Sequence, residues 1–189
     1  MNTQEAILTR KSVRGFTKEQ LTEGELKSIL DAAYASPIAG GVYKTIRLTV
    51  VQDAEVLTQI SNYYKETGGM KADMLFGAPT LIIVSGQKTF DDTAMFANAG
   101  CIVENIQLSA WDMGLGSVFN WSAGTVLPGN KELLDILGIP EDFKPLTGVV
   151  IGHPAKDVPM RELKTTIGKG KSGCNNERSI NENKTDSSL

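Results

Sequence analysis

Histidine and cysteine are scarce in this 189-residue chain, which holds one histidine and two cysteines. Cys101 falls in a helical pattern and Cys174 in a polar tail, so the sequence does not predict a disulfide framework. His153 has no cysteine or second histidine at a ligand spacing, so we expect no zinc or copper site. No serine or cysteine sits in a nucleophile elbow, which argues against a catalytic triad. We therefore expect no metal and no catalytic side-chain nucleophile.

Long apolar runs and a basic charge excess are also missing. The longest apolar runs, such as Leu81–Val84 and Val149–Ile151, fall far below the roughly 18 residues of a membrane span. The chain shows no basic start followed by an apolar stretch, so no signal peptide is predicted. The net charge of −3 leaves no basic footprint for a nucleic acid. We expect a cytoplasmic protein with neither membrane nor nucleic acid among its partners.

Apolar periodicity predicts five helices and four strands. The helices begin near residues 3, 22, 53, 94 and 131, and the strands cover 46–51, 80–84, 116–121 and 146–151. Thr22 and Glu25 form a capping box at the start of the second helix. Strands buried on both faces, with amphipathic helices between them, predict a layered α+β or α/β domain.

The helix from Ala94 to Met113 is the longest and has apolar residues on more than one side. A helix of this kind is buried within a protein, so we expect a partner subunit to cover its second side. Cys101 is predicted to be a small core residue of this helix. From about residue 164 the chain turns polar, which predicts a domain over 1–164 and a mobile tail over 165–189.

Arg10-Lys11-Ser12-Val13-Arg14 places three cations and a hydroxyl within five residues. Guanidinium, ammonium and hydroxyl groups together suit a phosphate. A solvated basic turn has the same composition, so both interpretations stay open for this segment.

Two later segments suit a ligand as well. Gly40 and Gly41, in the loop 36–43, allow backbone amides to approach a ligand closely, although a plain helix-to-strand loop has the same composition. The chain contains neither GxGxxG nor GxxxxGK[ST], so dinucleotide-fold and P-loop sites are excluded. The strand beginning at Gly116 ends in the turn Asn120-Trp121-Ser122, which has the amide and N–H groups to face a heteroaromatic ring. The alternative is a core strand with a surface turn.

These three segments, in this order, resemble the FMN-dependent nitroreductase family. The family pattern Arg-basic-Ser-x-Arg-x-Phe appears at 10–16, and Leu-x-x-x-Glu-Leu-x-x-Ile-Leu-x-Ala-Ala follows and leads into Ser36-Pro37. Gly77-Ala78-Pro79-Thr80 before an apolar strand also matches. So do the long helix running into Gly114-Leu115-Gly116-Ser117 and the closing strand ending in Gly152-His153-Pro154. The resemblance covers about residues 3–163.

The resemblance implies an α+β, three-layer fold with a mixed sheet flanked by helices, and an intertwined homodimer with two FMN sites at its interface. Each site residue follows from its position in the matching motifs. Arg10, Lys11 and Ser12 are expected to bind the phosphate and ribityl chain, with Arg14 as a helper. A late cationic contact to the phosphate is expected from Arg161, with Lys164 as the alternative. The partner subunit's flavin is reached by Ser36, Pro37 and Ile38, with Gly40 and Gly41 contributing through their backbone. The isoalloxazine ring is faced by Asn120, Trp121 and Ser122.

The function that the resemblance implies is electron transfer from NAD(P)H, through FMN, to a small oxidised acceptor such as a nitroaromatic, a quinone or a flavin, by a ping-pong mechanism. One departure favours an alternative. The family commonly shows Asn-x-Gln-Pro-Trp after the Ser-Pro loop, whereas this chain has Gly41-Val42-Tyr43-Lys44-Thr45. The alternative is a protein that stores or senses FMN without turnover.

Overall fold

The computed structural model of the chain describes residues 1–67, 73–88 and 91–162. Lys164 and the predicted tail, 165–189, lie outside these residues. The described α-helices are α1 (Thr3–Thr9), α2 (Glu23–Tyr34), α3 (Ala54–Thr67), α4 (Asp92–Asp112), α5 (Ser122–Thr125) and α6 (Lys131–Ile136). The described strands are β1 (Ile46–Val51), β2 (Thr80–Gln87), β3 (Gly116–Asn120) and β4 (Phe143–Gly152).

The four strands form one sheet in the order β1-β2-β4-β3, and each pairs antiparallel with its neighbours. A single parallel bridge, from Ser12 to Ser117, places the segment after α1 beside β3. The backbone N–H of Val13 donates to the carbonyl oxygen of Ser117 at 3.0 Å. The predicted α+β class is confirmed, and in the described part of the chain the parallel component of the sheet is this one bridge.

Helices cover both faces of the sheet, which gives the three layers. Successive side chains of a strand point to opposite faces, and β2 follows that rule. Leu81 and Ile83 pack on the side of α1, α3, α5 and α6, whereas Ile82 and Val84 pack on the side of α2 and α4. All four side chains are fully buried. The sheet is therefore enclosed on both faces at its centre, as the continuous apolar run predicts.

The capping box of α2 forms as predicted. The Thr22 hydroxyl accepts from the Glu25 backbone N–H at 3.2 Å, and the Glu25 carboxylate accepts from the Thr22 backbone N–H at 2.7 Å. The helix α5, by contrast, was not predicted. Its four residues are too few to set up a periodic apolar pattern.

The prediction that Cys101 is a core residue is wrong, because its side chain is exposed. The buried residues of α4 that include Ala99, Ile102 and Ile106 face the sheet and α2. At about 100° per residue, Cys101 lies on the other side of the helix with the exposed Gly100.

The second apolar side of α4 is partly covered within the same chain. The Trp111 indole N–H donates to the Thr9 hydroxyl at 3.0 Å, so α1 packs on this side of the helix. Phe96, near the start of α4, remains 49% exposed. The exposed side of α4 is thus smaller than the sequence predicts.

Candidate functional site

The basic segment after α1 is held against the sheet by two apolar anchors, Val13 and Phe16, which are both buried. Gly116 and Gly152 lie directly opposite each other in β3 and β4. A Cβ atom on Gly116 would lie 2.8 Å from the Cβ of Val13, and one on Gly152 would lie 3.1 Å from the Phe16 ring. The glycine pair therefore makes the room in which the segment sits.

A cleft of about 320 Å³ separates residues 11–15 from residues 155–159. Its lining includes three cations, Lys11, Arg14 and Lys156, and one carboxylate, Asp157. Within the described ranges none of the three cations forms an ion pair. Unpaired cations around a cleft suit an anion such as a phosphate, so the donors present fit the group that the sequence predicts here.

Arg10 sits at the C-cap of α1 and is tethered to α4. Its Nε donates to the Glu104 carboxylate at 3.3 Å, and its side chain is 20% exposed. Trp111, seven residues further along the same side of α4, holds the neighbouring Thr9 hydroxyl. The Nε of Arg10 is thus committed to Glu104, which leaves the two-nitrogen end of the guanidinium for a ligand.

Arg161 lies beside Arg10 and serves the fold. Its backbone N–H donates to the Thr9 carbonyl oxygen at 3.2 Å, and its guanidinium donates to the carbonyl oxygens of Leu8 and Ile7 at 3.4 Å each. A cation at the carbonyl end of a helix is favourable for the helix dipole. The structure therefore brings Arg161 to the start of the basic segment 10–14, where it caps α1.

Two asparagine side chains of α4 hold the loop 36–41 in place. The Asn105 side chain donates to the Ser36 hydroxyl at 2.9 Å, and the Asn98 side chain accepts from the Ala39 backbone N–H at 2.9 Å. Gly40 and Gly41 have φ values of 64° and 66°, which glycine adopts without strain. Pro37, Gly40 and Gly41 are exposed, while Ile38 is half-buried and packs on the core.

This loop and the basic segment are not joined directly. No hydrogen bond or ion pair among the described residues links the loop 36–41 to the segment 10–14. Their shared support is α4, on which Glu104 holds Arg10 and the next residue, Asn105, holds Ser36. A single described chain therefore presents two separate groups of predicted flavin contacts on one helix.

The turn after β3 divides its three predicted residues between the interior and the surface. The Asn120 amide donates to the Met74 carbonyl oxygen at 3.0 Å and accepts from the Ala123 backbone N–H at 2.9 Å. Ser122 is buried as well, but Trp121 is 60% exposed. The Trp121 ring centroid lies 6.4 Å from that of Phe119, with the rings inclined by 27°. Asn120 thus holds the turn, and Trp121 presents an open aromatic face.

Two further residues near these groups were missed by the sequence analysis, Glu104 and Phe76. The Arg14 guanidinium carbon lies 5.9 Å from the centroid of the Phe76 ring. Each contact joins residues more than 60 positions apart, and no local pattern signals such a contact.

The turn that carries Phe76 is built around Asp73. Burial alone would raise the pKa of this carboxyl, but hydrogen bonds from the Ser61 hydroxyl and from the backbone N–H groups of Leu75 and Gly77 lower it below its ordinary value. The carboxylate is therefore held in its charged form as part of the turn.

The one histidine, His153, directly follows β4, and its side chain faces the start of α2. Its Nε2 is 3.7 Å from the Glu25 carboxylate. Over the residues that the structure describes, no group of three or more histidine, cysteine, aspartate or glutamate side chains is placed to hold a metal ion. No helix in those ranges is both long and apolar enough to cross a lipid bilayer.

Comparison with known proteins identifies relatives over most of the chain. A family model described as the nitroreductase family matches residues 7–68 and 65–153. A putative NADH dehydrogenase/NAD(P)H nitroreductase of Methanothermobacter thermautotrophicus is 31% identical over 166 residues, which are 86% of this chain and 83% of that protein. An NADPH-flavin oxidoreductase of Vibrio harveyi is 25% identical over 173 residues, 85% of this chain and 69% of that protein.

Solved structures agree with this result. A nitroreductase with bound FMN from Bacteroides fragilis has a TM-score of 0.78 and 26% sequence identity, over 91% of this chain and 99% of that chain. A nitroreductase with bound FMN from Desulfitobacterium hafniense has a TM-score of 0.76 at 23% identity, which supports the fold alone.

Proposed function

Because the chain belongs to the nitroreductase family, we propose that it binds FMN and transfers electrons from NAD(P)H to a small oxidised acceptor. The observation that carries this proposal is the cationic cleft beside Lys11 and Arg14, in a fold similar to that of an FMN-bound nitroreductase. The names of the relatives support both a nicotinamide donor and a flavin, since they include an NADPH-flavin oxidoreductase and an FMN reductase (NADPH).

The chain's own residues bind and orient the cofactor. Arg10, Lys11 and Ser12 hold the phosphate and ribityl chain, with Arg14 and Arg161 adding positive charge nearby. Bound FMN supplies the ring that accepts and returns a hydride, and the protein supplies position and electrostatics. Because the flavin carries the chemistry, the proposal agrees with a sequence that predicts no catalytic side-chain nucleophile.

The exposed face of Trp121 lies at the end of β3, where we place the isoalloxazine ring. Asn120 and Ser122 keep the turn in place. The side-chain amide of Asn120 makes two hydrogen bonds, and both side chains are buried. Changes at Trp121 therefore alter the acceptor preference or the flavin potential, whereas changes at Asn120 act through the turn.

A homodimer completes the site. The loop from Ser36 to Gly41 has no described bond to the segment 10–14 of its own chain, and Pro37 is exposed. We place this loop, with Ile38, against the flavin of the partner subunit. The exposed side of α4, which includes Phe96 and Cys101, is the surface proposed to meet the partner.

Turnover is proposed to alternate between two half-reactions at one face of the ring. The chain has no second nucleotide motif, so NAD(P)H gives up its hydride and leaves as NAD(P)+ before the acceptor enters the same space. Initial rates measured at several fixed acceptor concentrations test this order. Parallel double-reciprocal lines are expected, and intersecting lines would require a ternary complex instead.

The identity of the cofactor is tested by mass spectrometry of the ligand released from the purified protein by heat. FMN is expected, because the predicted phosphate clamp is not accompanied by any adenine-binding motif. FAD would refute this assignment, and so would a protein that takes up no flavin from excess FMN.

The second candidate is an FMN storage or sensor protein without turnover. The observation that favours it is the loop after Ser36-Pro37, where Gly41-Val42-Tyr43-Lys44-Thr45 lacks the Asn, Gln and Trp side chains common in the family. Such a protein would bind FMN equally well, so the two functions differ in whether NAD(P)H reduces the bound flavin.

A further inference from the structure

Phe76 has an unusual backbone for an aromatic residue. Its φ is 54°, and among the described residues it is the one non-glycine residue with a positive φ. Such a conformation costs a bulky residue stability and persists only where the surrounding structure imposes it. The strained backbone therefore indicates that the surrounding structure holds Phe76 in this conformation.

The turn around Phe76 is imposed by several hydrogen bonds. Asp73 accepts from the Leu75 and Gly77 backbone N–H groups at 3.0 and 2.9 Å, and from the Ser61 hydroxyl at 2.7 Å. The Phe76 backbone N–H donates to the Asp73 carbonyl oxygen at 3.1 Å. These bonds fix the turn on both sides of Phe76, so its ring has a defined position.

The Phe76 ring is half-buried against the core, and it faces one of the cations of the cleft. The Arg14 guanidinium carbon lies 5.9 Å from the ring centroid, within the range of a cation–π contact. Arg14 is otherwise exposed and has no ion pair within the described ranges. The ring is therefore the contact that limits where this guanidinium points.

The same turn is tied to the other end of the candidate site. The Asn120 amide donates to the Met74 carbonyl oxygen at 3.0 Å, which links the turn to the end of β3 beside Trp121. The turn thus spans the space between the cationic cleft and the exposed aromatic face.

We propose that Phe76 is a positioning residue for FMN binding: its ring holds the Arg14 guanidinium at the cleft so that it meets the flavin phosphate. This inference rests on the proposed FMN binding. It explains why a strained aromatic residue is kept in a turn where glycine would fit the backbone better.

The test is a double-mutant cycle on the apo-protein, with the FMN Kd measured by quenching of flavin fluorescence. Phe76→Leu keeps an apolar side chain against the core but removes the ring face. It is expected to raise the Kd about two- to fivefold, the range that a surface cation–π contact gives. Phe76→Tyr keeps the ring and is expected to leave the Kd unchanged. In an Arg14→Ala background, Phe76→Leu is expected to add nothing.

Salt dependence separates a charge effect from a structural one. If Arg14 meets the phosphate, the Kd of the wild-type protein rises more steeply with KCl than the Kd of Phe76→Leu, because the variant has lost part of a screened ionic contact. A merely structural role for Phe76 would change the Kd without changing its slope against salt.

The strain is tested by comparing Phe76→Gly with Phe76→Ala. Both lose the ring, but only glycine relieves the backbone, so the glycine variant is expected to melt at the higher temperature while binding FMN as weakly as the alanine variant.

Three results would overturn the inference. They are an unchanged Kd in Phe76→Leu, an equal effect of Phe76→Leu with and without Arg14, and an unchanged salt slope in Phe76→Leu. A wild-type protein that binds no FMN at all would instead refute the proposed function.

Discussion

At the scale of single residues, the candidate site depends on how each cation is held. A guanidinium binds phosphate best when its planar fork is already oriented. The Glu104 carboxylate accepts from the Nε of Arg10, and the C-cap position fixes the backbone of Arg10. Little freedom therefore remains in the Arg10 side chain. Arg14, by contrast, is exposed at the cleft, with its guanidinium carbon 5.9 Å from the centroid of the Phe76 ring. We therefore expect Arg10 to contribute more to FMN affinity than Arg14.

Arg10→Ala is expected to weaken FMN binding by about 1.5–3 kcal/mol, the usual contribution of a hydrogen bond to a charged group. Fluorescence titration of the apo-protein measures the loss. Arg47→Ala is the matched control, because Arg47 is an exposed arginine on β1, away from the segment 10–14. Equal Kd values for the two variants would contradict the placement of the phosphate at Arg10.

Asp73 gives the turn beside the site a predictable dependence on pH. Its pKa in the folded protein is lower than its ordinary value, because hydrogen bonds to the carboxylate outweigh the effect of burial. A lowered carboxyl pKa contributes stability that is complete above the unfolded value, about 3.9, and is lost as the pH falls through the folded value. The contribution is thus constant near neutrality and disappears in acid.

The stability difference between the wild-type protein and Asp73→Asn is accordingly expected to be constant above about pH 5 and to shrink below about pH 4. Urea denaturation at a series of pH values measures it. Ser61→Ala, which removes one of the hydrogen bonds that lower this pKa, is expected to reduce the acid-sensitive part of the difference. A difference that grows in acid would have the wrong sign for this account.

At the scale of elements, Gly116 and Gly152, opposite each other in β3 and β4, make the room in which Val13 and Phe16 of the basic segment pack. Any side chain at Gly116 meets the Cβ of Val13, which has no freedom to move away. Gly116→Ala is expected to destabilise the apo-protein by about 1–3 kcal/mol, as overpacking does, and to weaken FMN binding as well. Urea denaturation and FMN titration check the two effects.

Gly24→Ala is the control for this prediction, because nothing lies within 4 Å of a Cβ placed on Gly24 in the first turn of α2. It is expected to be neutral or slightly stabilising, as alanine is in a helix. If Gly116→Ala proved as harmless as Gly24→Ala, the seating of the segment on β3 would be contradicted.

Helices and strands with a clear period were predictable from the sequence, and β1 was predicted with its observed ends. The side of a helix that the partner elements cover was harder to predict. The apolar residues of α4 surround most of its circumference, so periodicity alone placed Cys101 inside. The contact of Trp111 with Thr9 and that of Glu104 with Arg10 depend on how α1 folds back across α4. Such packing is decided by the whole structure and leaves no local pattern.

A family motif marks some candidate residues in the sequence, as at Arg10, Lys11 and Ser12, and their contact with FMN stays a prediction. The backbone of Phe76 was not predictable, because local rules assign a positive φ to glycine, asparagine or aspartate. Arg161 illustrates a third case. Its charge was visible in the sequence, but its hydrogen bonds to the carbonyl end of α1 join residues more than 150 positions apart.

At the scale of the whole molecule, the proposed flavin site needs two chains. Two of the three groups of predicted flavin contacts in one chain, the segment 10–14 and the loop 36–41, have no described bond between them, and α4 supports both. Light scattering of the purified protein at micromolar concentration is expected to give the mass of a dimer. A monomer that still binds flavin would contradict the proposal that the partner's Ser36 loop completes the site.

Two variants of α4 separate folding from association. Ile106 is fully buried against the sheet, so Ile106→Glu is expected to prevent folding, as judged by circular dichroism. Phe96 is 49% exposed, so Phe96→Glu is expected to fold and to shift the light-scattering mass towards the monomer. A Phe96→Glu protein that remains fully dimeric would place the interface elsewhere.

The central claim is that this chain turns over electrons through bound FMN. The most direct test is an anaerobic absorbance titration of the FMN-loaded protein with NADH and with NADPH, followed by addition of a nitroaromatic or a quinone. We predict that at least one of the two nucleotides bleaches the visible absorbance of the bound flavin, because the flavin ring accepts the hydride, and that the acceptor restores it. Bound flavin that neither nucleotide bleaches would contradict the claim and leave FMN storage or sensing as the function.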